Sequence, residues 1–264
     1  MKFKSIILAG FVAVSSLFGM DADLETDLKT TGAVTDNLQR ISVTIKSGYS
    51  EGSGVIFTRK IEDKKISFVW TAAHVVDALK TVREVIDPSS GVKKSIVEFK
   101  DASIVQEVVK DGKRVGEYKV DAEVVKYSGA HNGHDLALLK IAIDGFTDNT
   151  VKFYNPKKDG AIVPIGTKLY HVGSLLGQQG ANSLTNGILS SVGRKIDKTV
   201  FDQTTANAFP GSSGGGIFLE DGRYVGMLVR GAGETFNLIV PIRRIYEWAT
   251  EAKIMWAIDP TVKA

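Results

Sequence analysis

The sequence of 264 residues contains no cysteine and only four histidines. The absence of cysteine excludes a cysteine nucleophile, a zinc site with cysteine ligands, a disulfide framework and lipid attachment through a thiol. A net charge of only +3 gives no argument for binding nucleic acid or an anionic membrane. A chain of this length, with 43% hydrophobic residues, can still bury a core large enough to fold without cross-links.

The N-terminal residues differ in character from the rest of the chain. Two lysines precede an uncharged, mostly apolar run over residues 5–20, and acidic residues follow it. This pattern predicts a signal peptide over residues 1–22, with cleavage near Gly19 or Ala22 and export to the periplasm or the medium. The run is shorter than the about 20 apolar residues that span a membrane. An uncleaved N-terminal anchor is the alternative.

Two series of short segments rich in Val and Ile follow, broken by Gly, Asp and Ser at intervals typical of turns. They predict two antiparallel β-barrels, and only Arg243–Trp256 has the apolar spacing of a helix. Asp221-Gly222 predicts a hairpin turn between apolar runs, and Asp111-Gly112 predicts another turn. The predicted divisions are a lead-in segment or short helix over residues 23–39, a first barrel over 40–148 with a projecting hairpin at 80–117, a linker over 149–160, a second barrel over 161–242, and a helix with its tail over 243–264.

The stretch Phe209–Phe218, FPGSSGGGIF, places two adjacent serines among glycines and leads into an apolar strand. A serine nucleophile needs a base within hydrogen-bond reach, and histidine suits this because its pKa lies near neutral pH. The stretch also satisfies Gly-x-Ser-x-Gly, the nucleophile elbow of α/β-hydrolases, in which the histidine follows the serine. No histidine follows Ser213 and no alternating βα pattern is present, so that fold is excluded.

Histidine, acid and serine occur in the opposite order, in segments that suit a catalytic site. His74 follows the strand-like VWTAA, Asp135 directly precedes the apolar run LALL, and Ser213 lies in the glycine-rich stretch. These three residues are the predicted triad. Asp144 and Asp148 are competitors for the acid, but each lies in a loop-like stretch.

The remaining histidines receive no catalytic role. His171, in LYHVGS, is interpreted as a structural residue. His131 and His134 form the pattern His-x-x-His-Asp with Asp135, which could suggest a metal site. No third ligand is nearby, so a solvated loop is the better interpretation. We predict neither a metal nor a cofactor.

Five segments of the chain are characteristic: GSGVIF, TAAHVV, DLALLKI, TNGILSS and PGSSGG. They resemble segments of the trypsin-like serine peptidases, and most closely those of the HtrA/Deg branch. The resemblance covers about residues 40–248 and implies an all-β, chymotrypsin-like fold of two antiparallel six-stranded β-barrels with a C-terminal helix. It also implies a serine endopeptidase that acts on protein or peptide substrates. Members of this branch usually carry a PDZ module after the protease domain, which is not expected here, and the oligomeric state stays open.

The resemblance implies a role for each residue of the predicted site. Ser213 attacks the scissile carbonyl, His74 accepts its proton and later returns it to the leaving amine, and Asp135 fixes the imidazole tautomer. The backbone N–H groups of Gly211 and Ser213 form the oxyanion hole. Ser212 stands where trypsin-type zymogens carry an aspartate that pairs with a new N-terminus. That mode of activation is therefore not expected, and what orders the oxyanion loop stays open.

Substrate binding is likewise implied by the resemblance. The residue at the base of the specificity pocket is an asparagine, so a preference for lysine or arginine is not expected, and a small or medium apolar residue before the cut is predicted. The segment GMLVRG over residues 226–231 supplies an edge that pairs with the substrate backbone. The alternative function is a non-catalytic or latent binding or scaffold protein on the same fold. The predicted substrate-binding residues are Asn207, Val229, Arg230, Gly231 and Leu238.

Overall fold

The computed structural model describes residues 26, 29–110, 113–231 and 233–264. The predicted signal peptide and the predicted turn at Asp111-Gly112 lie outside these residues. Within the described part of the chain, no helix is long and apolar enough to cross a membrane.

The first half of the structure is a closed antiparallel barrel with one additional hairpin. The barrel strands follow the order β1-β2-β3-β8-β7-β6, and the turn between β2 and β3 is made by Glu62 and Asp63. Both turn residues have positive φ, at 47° and 66°, so the turn twists in the same sense as the strands it joins. The strands are β1 (Ser42–Ser47), β2 (Ser50–Ile61), β3 (Lys64–Thr71), β4 (Lys80–Ile86), β5 (Lys93–Phe99), β6 (Ala102–Lys110), β7 (Lys113–Tyr127) and β8 (Ala137–Ile141).

The hairpin that projects from this barrel is shorter than the sequence predicts. β4 and β5 form a separate two-stranded sheet, and most of their residues are exposed. The prediction of an excursion as far as residue 117 is wrong, because β6 pairs with β1 and β7 pairs with β8 inside the barrel. The misleading charges lie at the outer end of the β6–β7 hairpin, where Arg114 forms ion pairs with Glu107 and Glu117.

The second half forms a ring of six antiparallel strands, closed by pairing between β13 and β14. β9 joins its edge in parallel with β14, so the interval predicted as a linker, residues 149–160, contributes a strand to the second sheet. Asp221 and Gly222 connect β13 to β14 as predicted, and Gly222 has φ +83°. These strands are β9 (Lys152–Phe153), β10 (Lys168–Leu175), β11 (Gly180–Ile196), β12 (Thr199–Thr204), β13 (Gly216–Leu219), β14 (Arg223–Gly231) and β15 (Asn237–Pro241).

The α-helices of the described residues are α1 (residues 29–40), α2 (Ala73–Val76) and α3 (Ile242–Glu251). α3 ends before the predicted Trp256, because Lys253 adopts φ 58° and a 3-10 turn follows. The ring of Trp248 on α3 packs edge-on against Trp70 of β3, with centroids 5.6 Å apart. α3 therefore joins the first barrel to the second, and the predicted fold class of two barrels with a C-terminal helix is confirmed.

Candidate active site

Two neighbouring strands of the first barrel bring His74 and Asp135 together. His74 lies in α2, directly after β3, and Asp135 lies directly before β8, which pairs with β3. His74 Nδ1 is 2.9 Å from Asp135 Oδ2 and 3.1 Å from Oδ1, and the His74 backbone N–H donates to Oδ1 at 3.0 Å. The Asp135 side chain is 7% exposed and that of His74 is 35% exposed. With the Nδ1 proton held by the carboxylate, Nε2 is left free to accept a proton.

The loop that carries Asp135 is fixed from two sides. Asp135 itself has φ 57°, a backbone conformation that residues other than glycine rarely adopt. Inside the loop, Ser128 Oγ accepts hydrogen bonds from the N–H groups of His134 and Leu136, at 3.1 and 3.0 Å. From α3, the Arg244 guanidinium donates to the carbonyl of His134 at 3.3 Å. The C-terminal helix therefore helps to position the carboxylate.

The two adjacent serines have different environments. Ser212 is fully buried, and its Oγ accepts a hydrogen bond from the N–H of Phe209 at 3.2 Å, which keeps it away from any substrate. Ser213 is partly exposed, and its Oγ donates to the carbonyl of Val229 at 3.3 Å. Among the described residues, Ser213 has no hydrogen bond with His74. In this structure the Ser213 hydroxyl is therefore bonded to the backbone of β14 and not to the imidazole.

The glycine-rich loop, residues 209–215, presents unpaired backbone donors. Within the described chain, the N–H groups of Gly211 and Ser213 have no acceptor, as an oxyanion hole requires. Gly211 has φ +96°, and a Cβ at this position would lie 2.3 Å from the carbonyl oxygen of Ser174. Only glycine fits both the conformation and the space. Glycine at position 211 therefore allows the loop to pack closely against the backbone at Ser174.

The trypsin-like peptidase domain family matches residues 52–227, which is more than half of the chain. The chain belongs to the trypsin-like peptidase family. The serine protease Do-like HtrA of Lactococcus lactis subsp. cremoris (strain MG1363) is 28% identical over 187 residues, covering 67% of this chain and 36% of the relative. The serine protease Do-like HtrB of Bacillus subtilis (strain 168) is 30% identical over 118 residues, covering 42% and 25%. These relatives lie in the HtrA branch, as the motifs predict.

This trypsin-like peptidase chain spans only 36% of the length of the first of these curated relatives. The crystal structure of Deg5 matches with a TM-score of 0.58 and 20% identity, covering 88% of this chain and 95% of that chain. The serine endoprotease from Yersinia pestis matches with a TM-score of 0.59 and 18% identity, covering 85% and 66%. At these identities the likeness shows a shared fold.

Two clefts of the trypsin-like fold share lining residues of β14. The first is lined in part by His74 and Asp135, and the second in part by Ser213 and Asn207. Residues 229–230 line both clefts. The end of β14 therefore contributes to both clefts of the candidate site.

The predicted substrate-binding residues do not all reach these clefts. Asn207 and Gly231 line the second cleft, but Leu238 does not; it is buried in the barrel core, and Leu228 lines the cleft instead. The assignment of Leu238 to substrate binding therefore stays a prediction. Arg230 lines both clefts, and its guanidinium lies over the ring of an aromatic residue of β12, 5.4 Å from the centroid.

All but one of the residues that compete with the predicted triad are engaged elsewhere; the exception is His131. His171 is fully buried, its Nδ1 donates to a backbone carbonyl at 3.1 Å, and burial lowers its pKa to about 4. His134 Nε2 lies 3.0 Å from a glutamate of α3, while His131 lines the first cleft. Asp144 and Asp148 form ion pairs with surface lysines at 3.2 and 2.6 Å.

Sequence reasoning missed two residues that hold the site together. Arg244, on α3, is nearly buried, and burial lowers its pKa; nothing in its sequence context signals a contact with the Asp135 loop. Ser53 lies in the GSGVIF motif at the start of the first barrel and contacts the glycine-rich loop of the second. A serine between two glycines was the available signal, because such a position allows backbone segments to approach closely.

Proposed function

We propose that this chain is a serine endopeptidase with His74, Asp135 and Ser213 as its catalytic residues. The observation that carries the proposal is the pair of contacts from Asp135 to His74 Nδ1, at 2.9 and 3.1 Å, because it leaves Nε2 as the ring nitrogen that can take a proton. The matched family and the HtrA relatives support the same reaction class.

The proposed reaction follows the acyl-enzyme route. The Ser213 oxygen bonds to the scissile carbonyl carbon while its proton passes to His74 Nε2, and the carbonyl oxygen takes the negative charge. The N–H groups of Gly211 and Ser213 bind that oxygen. His74 then protonates the leaving amine as the C–N bond breaks, and a water molecule, deprotonated by His74, releases the acid product and restores the serine.

The hydrogen bond between Ser213 and Val229 fits this scheme as a resting arrangement. A substrate that pairs with the end of β14 as an additional strand presents backbone N–H groups to the carbonyls of that strand. Such an N–H would replace the serine hydroxyl at the Val229 carbonyl. The hydroxyl would then be free to turn towards His74 when the scissile bond is in place.

Labelling with a fluorophosphonate tests the nucleophile directly, because the probe reacts with an activated serine. We expect wild-type protein and Ser212→Ala to be labelled and Ser213→Ala not to be. Ser213→Ala should also lower peptide turnover by roughly 10⁴–10⁶-fold. Labelling that survives in Ser213→Ala would contradict the assignment.

The second candidate function is a latent or non-catalytic binding protein on the same fold. The observation that favours it is that Ser213 donates to Val229 and not to His74. Wild-type protein that binds peptides but neither reacts with the fluorophosphonate nor cleaves them would support this alternative and reject the first proposal.

The second cleft supports a small or medium apolar residue before the cut. Ala208, Phe209, Pro210 and Leu228 are among its lining residues, and Asn207 supplies no negative charge. A peptide-library cleavage profile should therefore favour residues such as alanine and valine at this position. A profile that peaks at lysine or arginine would contradict the proposal and would implicate the acidic residue of the cleft, Glu234.

We also propose that the protein is exported. The support is the basic and apolar pattern of residues 1–22. Cell fractionation and N-terminal sequencing of the mature protein should find it outside the cytoplasm, beginning near residue 20 or 23. Protein that stays in the cytoplasm with its N-terminus intact would refute export.

A further inference from the structure

Ser53 connects the first barrel to the glycine-rich loop of the second. It lies in β2, is fully buried, and its backbone N–H donates to the carbonyl of Ser213 at 2.7 Å. Its own carbonyl accepts a hydrogen bond from the Thr71 hydroxyl at 2.7 Å. The backbone of Ser53 is therefore fixed on both sides, whatever side chain it carries.

The Ser53 hydroxyl makes two further hydrogen bonds, both to the second barrel. It donates to the carbonyl of Gly211 at 2.7 Å and accepts from the N–H of Ser174 at 2.7 Å. The directions are unambiguous, because a carbonyl can only accept and a backbone N–H can only donate. The single proton of the hydroxyl thus points at Gly211.

Hydrogen bonds hold the peptide groups on both sides of Gly211, and one of these bonds comes from Ser53. The carbonyl of Pro210, in the peptide group that carries the Gly211 N–H, accepts from the N–H of Leu176 at 2.8 Å. The carbonyl of the next peptide group is held by Ser53. With both groups held, Gly211 stays at φ +96° and its N–H keeps one direction. A glycine that lost one of these restraints could reach many other conformations.

We propose that Ser53 is a positioning residue that orders the oxyanion loop through its hydroxyl, an inference that rests on the proposed function. It does so from the first barrel, across the boundary between the two barrels. Of the two side-chain hydroxyls in the loop itself, that of Ser212 bonds to the loop at Phe209 and that of Ser213 bonds to Val229, so neither reaches the first barrel. Ordering of the donors is thereby coupled to the docking of the two barrels.

The test compares Ser53→Ala and Ser53→Cys with wild-type protein. Alanine removes the hydroxyl, whereas cysteine keeps nearly the same shape but is a weak donor and a weak acceptor. Ser42→Ala is the matched control, because Ser42 is also buried and its hydroxyl also donates to a backbone carbonyl, that of Leu38 at 2.8 Å. Ser42 lies in β1 and has no hydrogen bond with the loop among the described residues.

The probes are a peptide p-nitroanilide with valine before the cut, the corresponding peptide boronate, and the corresponding free-acid peptide. The boronate adds to the serine oxygen as a tetrahedral anion that needs the oxyanion hole, whereas the free acid measures ordinary binding. We expect Ser53→Ala to lower kcat by about 10–100-fold, below the cost of removing a donor altogether, with KM within about 3-fold. Boronate affinity should fall by the same factor as kcat/KM, while free-acid binding stays unchanged. Ser53→Cys should lie between Ser53→Ala and wild type.

Several outcomes would overturn the role of Ser53. The first is a kcat of Ser53→Ala equal to that of Ser42→Ala. The second is that Ser53→Ala loses boronate binding and free-acid binding by the same factor. If Ser53→Ala does not fold, wild-type activity in Ser53→Cys would have the same meaning. Active wild type, inactive Ser213→Ala and fully active Ser53→Ala would reject only this inference. Inactive wild-type protein would reject the proposed function and this role with it.

Discussion

Acidification should destabilise this protein through one buried histidine. His171 lies in β10, fully buried behind the glycine-rich loop, and its Nδ1–H donates to the carbonyl of Gly216 at 3.1 Å. Its Nε2 has no hydrogen-bond partner among the described residues. A proton added at Nε2 would place a buried charge without a partner, and burial therefore lowers the pKa of His171 from 6.5 to about 4.

The sign and the size of the effect follow from this pKa. Between pH 6.5 and 4 the unfolded chain binds a proton at His171 that the folded chain does not, so the free energy of unfolding decreases as the pH falls. Each unit of pKa difference corresponds to about 1.4 kcal/mol, and the contribution lost by pH 4 is about 3 kcal/mol. It is fully present above about pH 7.

The assay is urea unfolding of wild type and His171→Asn at a series of pH values from 7.5 to about 4. Asparagine can still donate to the Gly216 carbonyl but does not titrate. We expect the wild type to lose about 3 kcal/mol more than the variant over this interval. His131→Asn, at an exposed histidine, should follow the wild-type curve. Parallel curves for wild type and His171→Asn would refute the reasoning.

Two further predictions concern the catalytic geometry. Asp135→Asn should lower kcat by roughly 10⁴-fold with little change in KM, because an amide no longer selects the Nδ1–H tautomer of His74. Steady-state kinetics checks this, on protein whose circular dichroism spectrum is unchanged. A loss of kcat below about 10-fold would contradict the assignment of Asp135. Gly211→Ala should lower kcat by at least about 100-fold, because its Cβ would lie 2.3 Å from a backbone oxygen at φ +96°. Gly166→Ala is the control for backbone strain alone, because Gly166 has φ +89° but open space around it, and this variant should keep the wild-type kcat. Equal losses of kcat in the two variants would show that the contact of the added Cβ with the backbone oxygen is unimportant.

The fold class was predictable because it depends on local features. Alternating Val and Ile residues between turn residues specify strands, and Asp221-Gly222 specifies a hairpin whatever lies around it. The predicted hairpin over residues 80–117 was wrong because its boundary depends on strand pairing between distant parts of the chain and not on local sequence. β6 and β7 extend beyond the barrel and carry charges there, so the sequence of this hairpin resembles that of the true excursion, β4–β5. The pairing of β6 with β1 and of β7 with β8 distinguishes the two hairpins.

The sequence singled out the residues of the candidate site, but it did not predict the contacts that they form. The order of His74, Asp135 and Ser213 and their neighbours singled them out, and their catalytic roles remain predictions. The hydrogen-bond partner of the Ser213 hydroxyl could not be predicted from the sequence, because the accepting carbonyl belongs to Val229 in β14. Leu238 stays a prediction, because a core leucine and a cleft-lining leucine look alike in a strand sequence.

The sequence by itself determined the strand segments, the terminal helix, the absence of any thiol chemistry and the set of groups able to act on a peptide bond. These depend on residue type and on neighbours a few positions away. Tertiary structure alone decided which carboxylate meets the imidazole, where the serine hydroxyl points, and that Ser53 holds the loop 158 residues further along. Such contacts join residues that are distant in the chain, and they arise only when the two barrels pack against each other.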